Sequence, residues 1–71
     1  MLFDTLLCIL LYLGAIVSPG SYSYEFIDQQ EVLHQNEIDQ VHSDPGFEQT
    51  IVQTYSPQLE FLDLYPDEAE N

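Results

Sequence analysis

The sequence predicts a mostly disordered acidic peptide behind an N-terminal hydrophobic helix of the signal-peptide type, with no stable globular core. Three observations lead there. Residues 6–17, LLCILLYLGAIV, form a run of twelve residues without a charge. The chain of 71 residues has no Lys or Arg against 13 Asp and Glu, a formal charge of −13. Its single cysteine, Cys8, lies inside the apolar run, so the rest of the chain has no means of forming a disulfide framework.

As a helix the apolar run would rise only about 18 Å, short of a hydrocarbon core of about 30 Å. Asp4 and Thr5 interrupt any upstream extension. An apolar core of this length followed by small residues is the profile of a secretory signal. Ser18 and Gly20 occupy the −3 and −1 positions for cleavage after Gly20, and Pro19 breaks the helix just before it. Cleavage after Ser23, with Ser21 at −3, is the second choice. The segment before the run lacks the usual Lys or Arg, and Asp4 offsets the amino terminus. If the run is not cleaved, the alternative to a secreted peptide is a small membrane-anchored protein with an acidic interaction tail. Leu7, directly before Cys8, does not fit the small residue that bacterial lipid-anchor sites place there, so Cys8 reads as an ordinary apolar residue.

The predicted division is therefore residues 1–20 as signal, 21–43 as an acidic segment with a nascent helix, 44–46 as a turn or linker, and 47–71 as an acidic, aromatic C-terminal segment. Twelve of the 13 carboxylates fall in residues 21–71. With no cation to neutralise phosphate, nucleic-acid binding is excluded. An anionic membrane surface repels such a chain, leaving the N-terminal run as its only route to a membrane. The expected partners are a basic protein surface or receptor and, weakly, Ca2+, whose hard character suits carboxylates although no EF-hand spacing is present.

Between residues 25 and 41 the acids at the start suit a helix N-terminus. Phe26, Ile27, Leu33, Ile38 and Val41 fall within an arc of about 140° at helical spacing, with Val32 outside it. Unrelieved like charges at Glu25/Asp28 and Asp28/Glu31 make this a weak amphipathic helix. Asp44-Pro45-Gly46 signals a turn. Thr50 to Tyr55 has the β-branched and aromatic content of a strand, though no partner strand is evident. Gln58 to Tyr65 is too short to assign, and residues 67–71 read as an acidic tail.

No enzyme is expected, because paired carboxylates need a pocket that fixes their geometry, and no cofactor is expected either. His34 and His42, about 12 Å apart on a continuous helix, match no zinc spacing, so no metal site is assigned.

Tyr22, Tyr24 and Tyr65 lie among acids, as tyrosines that become sulfated do in secreted proteins. Residues 61–70 resemble in composition the acidic, aromatic exosite-binding tails of some secreted protease inhibitors and the sulfotyrosine ends of adhesion ligands. In a retained membrane protein, Tyr24-Glu25-Phe26-Ile27 would match a tyrosine-x-x-bulky sorting pattern. In a soluble one, residues 59–65 have the alternation of a disordered activation segment.

The function expected from these features is binding by a small secreted acidic peptide. Phe26, Ile27, Leu33, Phe61, Leu62, Leu64 and Tyr65 are the candidate apolar anchors. Glu25, Asp28, Asp63, Asp67 and Glu68 are the candidate steering charges.

Overall fold

The apolar run organises the fold. A computed structural model describes residues 2–66, and in it α1 (Phe3–Leu13) buries every position from Leu6 to Leu11. A helix that is apolar all round must be covered on all sides, and the rest of the chain wraps to cover it. Asp4 sits in the first turn, where the helix dipole favours an anion. Gly14 ends the helix with φ of 79°, a left-handed conformation that a side chain would strain. Its N–H donates to the Leu11 carbonyl at 3.1 Å and the Ala15 N–H to that of Leu10 at 3.0 Å, satisfying the helix end.

Past a cis Ser18-Pro19 peptide the chain enters β1 (Gly20–Ser23) and then α2 (Tyr24–Leu33), α3 (Gln35–His42) and α4 (Pro45–Tyr55). Each start has a local cause. The Ser23 hydroxyl accepts the Phe26 N–H at 3.0 Å to cap α2. Asp44 does the same for Phe47 at 3.3 Å, with Pro45 pre-set for the first helical turn of α4. A 3-10 helix (Ser56–Phe61) then delivers the chain to β2 (Leu62–Tyr65), which pairs in parallel with β1. Parallel strands need a long crossover, here supplied by the three intervening helices.

Among the described residues, eleven buried hydrophobics form one core. Seven of them, Leu6 to Leu11 and Ile16, come from α1 and the loop after it. Ile27 comes from α2, Ile38 and Val41 from α3, and Ile51 from α4.

This architecture overturns the expectation of a mostly disordered acidic peptide without a stable globular core. The physical reason is the fate of residues 6–17. With the run set aside, the apolar residues that remain have nothing to pack on; with it in place, each later helix contributes one or two aliphatic side chains to a shared surface. The charge is accommodated as well. No charged side chain is buried among the described residues, so the carboxylates repel one another across water, where screening is effective.

Two local expectations change with it. In place of one weak helix over residues 25–41, α2 and α3 meet at His34, whose φ of −109° and ψ of 25° redirect the chain. The stretch from Thr50 to Tyr55 is helical, not a strand, because Ile51 faces the core at α-helical spacing and the Asp44 cap starts a helix before it. Among the described residues, no helix is long and apolar enough to cross a membrane.

Candidate protein-binding face

The strand pairing joins the two ends of the acidic chain. Its register places Ser21 opposite Asp63, Tyr22 opposite Leu64 and Ser23 opposite Tyr65. On the solvent side, the Ser21 hydroxyl donates to Asp63 Oδ2 at 3.3 Å. On the inner side, Tyr22, Leu62 and Leu64 pack against the core. The alternation of sides along a strand thus divides the C-terminal candidates, with Asp63 and Tyr65 outward and Leu62 and Leu64 inward.

Tyr22 is held at its ring and at its hydroxyl. Its ring stacks on Phe26 with centroids 5.2 Å apart and an interplanar angle of 15°. Its hydroxyl accepts the Val17 N–H at 2.9 Å and reaches back to the Val17 carbonyl at 3.4 Å. Gly20 lies beneath this contact, and a Cβ there would come within 2.6 Å of the Val17 oxygen and 2.8 Å of Tyr22 Cε2. Ser18, for its part, donates its hydroxyl to the Gln58 carbonyl. The two residues assigned to a cleavage signal are thereby integral to the packing around β1.

Of the candidate apolar anchors, Ile27 is fully buried and Phe26 half-buried, whereas Leu33, Phe61 and Tyr65 are exposed. Glu25, Asp28 and Asp63 are exposed beside them, and Tyr24 is exposed with its ring 5.9 Å from that of Phe3. Asp67 and Glu68 lie outside the described residues.

The structure adds Val32, which sequence patterning left aside. Val32 and Leu33 are 73% and 72% exposed, and they share the outward face of α2 with Glu25, Asp28 and Gln29. Positions 25, 28, 29, 32 and 33 recur at i, i+3, i+4, i+7 and i+8, a single stripe along α2. Helical spacing gave no signal for it, since Leu33 lies inside the apolar arc and Val32 outside it, yet both are exposed.

His42 Nδ1 meets Glu48 Oε1 at 2.9 Å, tying α3 to α4 at the surface. His34 lies at the α2–α3 junction. Among the described residues no group of three or more His, Cys, Asp or Glu could hold a metal ion. Cys8 is fully buried, with Sγ 4.0 Å from the Val52 carbonyl and 3.9 Å from Ser56 Oγ. Burial pushes its thiol pKa up, the Asp4 carboxylate adds to the effect, and the Ser56 hydrogen bond opposes it. Comparisons with protein families, with curated proteins and with solved structures give no match.

Proposed function

We propose that the protein is a non-enzymatic acidic binding module that engages a basic protein surface. The observation that supports this most is the β1–β2 register, which brings an acid-aromatic segment from each end of the chain onto one small folded unit. In a chain without Lys or Arg, no basic side chain other than a histidine is available to neutralise Asp28 and Asp63 from within. A cationic partner gains long-range attraction from this charge and apolar contact from Leu33, Phe61 and Tyr65.

The test is an NMR titration of the full chain with a short Lys- and Arg-rich peptide at low and high ionic strength. Amide shifts should concentrate in residues 21–33 and 61–65, and affinity should fall steeply as salt rises. Shifts spread equally over Glu37 and Asp39 of α3, or an affinity insensitive to salt, would refute the assignment.

A further inference from the structure

Few side chains in this protein give up an electron readily where an oxidant can reach them. There is no Trp, and the one cysteine, Cys8, is fully buried beside Val52 and Ser56. The single methionine, Met1, lies outside the described residues, and methionine takes up oxygen rather than coupling to a neighbour. One-electron oxidation therefore falls on the phenols of the five tyrosines. Among the described residues, one pair of them is in ring contact. Tyr12 of α1 and Tyr55 of α4 lie with ring centroids 6.5 Å apart and planes at 70°. Tyr12 is 43% exposed and Tyr55 half-buried, so the pair is open to solvent on the Tyr12 side. Tyr22 and Tyr24, by contrast, have phenylalanines as ring neighbours.

We propose that Tyr12 and Tyr55 are a modification site at which one-electron oxidation joins α1 to α4 through a dityrosine bond. Each phenol gives one electron to the oxidant and its O–H proton to water, leaving a tyrosyl radical whose spin is shared with the ring carbons beside the oxygen. The two radicals pair to form one carbon–carbon bond between such carbons. The hydrogens displaced there move to the two oxygens as the rings become aromatic again. The product keeps both hydroxyls and has lost two hydrogens in all. Two one-electron reductions of the oxidant, a peroxidase haem oxidised by hydrogen peroxide, balance the step, and the peroxide ends as water. Proximity makes the coupling intramolecular. Rotation of the exposed Tyr12 side chain supplies the remaining approach. The formal charge of −13 on every chain opposes coupling between chains. Like a disulfide, the bond constrains the unfolded chain by closing the loop from Tyr12 to Tyr55.

The test treats the full chain, in dilute solution, with a haem peroxidase and hydrogen peroxide. The monomer should lose the mass of two hydrogens, and fragmentation of linked peptides should place the bond between Tyr12 and Tyr55. The linked monomer should unfold at higher urea than the untreated chain. Tyr12→Phe and Tyr55→Phe, which keep the rings and remove the reacting hydroxyls, should each abolish the product, whereas Tyr24→Phe should leave its yield unchanged. Circular dichroism of these variants should match that of the parent. Oxidation in concentrated urea should no longer select this pair. A monomer without the link, a bond through Tyr22, Tyr24 or Tyr65 instead, linked dimers as the main product, or an equal yield of the Tyr12–Tyr55 bond in urea would each overturn the proposal.

Discussion

The Ser18 hydroxyl donates to the backbone carbonyl of Gln58 at 2.9 Å, so the loop after α1 is fastened to the 3-10 helix 40 residues later in the chain. Ser18→Ala leaves that carbonyl to find water and should lower stability by about 1 kcal/mol in urea unfolding. An unchanged midpoint would mean that the loop is held by packing alone.

Removing residues 1–20 takes away seven of the eleven buried hydrophobics and the first residue of β1. The full chain should melt in one cooperative transition, whereas residues 21–71 alone should show none by circular dichroism. Cleavage after Gly20 and the fold described here therefore make opposite use of α1. A cooperative melt of the shortened chain would show that the later helices sustain a core without it.

Gly20 and Gly46 offer a paired test of close packing. Alanine at Gly20 collides with the Val17 carbonyl and the Tyr22 ring, while a Cβ at Gly46 meets nothing nearer than Asp44 Oδ1 at 3.8 Å. Gly20→Ala should cost about 1–3 kcal/mol through forced displacement of β1. Gly46→Ala, inside α4, should be neutral or stabilising by up to about 1 kcal/mol. Similar effects of the two substitutions on the urea midpoint would contradict the packing described around Tyr22.

Cys8 supplies a pH dependence of defined sign. Because burial raises its thiol pKa in the folded state, the folded chain favours the protonated form more than the unfolded chain does. The resulting stability is complete below the unfolded thiol value of about 8.5 and declines as pH rises through the higher folded value. Cys8→Ala should lower stability at neutral pH through the cavity it leaves, yet flatten the decline above the ordinary thiol range. In the native chain a thiol reagent should label Cys8 only as fast as the protein unfolds. Rapid labelling under native conditions would rule out the buried placement.

The sequence makes the helical character of residues 6–13 legible, since a continuous apolar run admits few alternatives, but the stop at Gly14, short of Val17, is not read from it. What it hides is whether such a run is the core of the molecule or a segment apart from it, because both uses demand the same residues. Asp44-Pro45 carries the signals of a helix start, but the β-branched and aromatic residues from Thr50 to Tyr55 compete with them locally. Ile51 settles the matter only by packing on α1. The β1–β2 pair is invisible to local patterning, because Ser21 and Asp63 meet across 42 positions and each strand has four residues. For the candidate face, composition shows that acids and aromatics recur at both ends. Side selection, which turns Leu62 and Leu64 inward and leaves Val32 and Leu33 outside, depends on the tertiary arrangement.

The order of the core helix and its partners along the chain imposes an order on biosynthesis. Leu6 to Leu11 are made before the helices that cover them, and the last of their buried partners, Ile51, is made 40 residues after Leu11. At about 5–20 residues per second that delay is roughly 2–8 s. Throughout it the core around α1 is incompletely covered, and slower synthesis across α2 to α4 lengthens that interval.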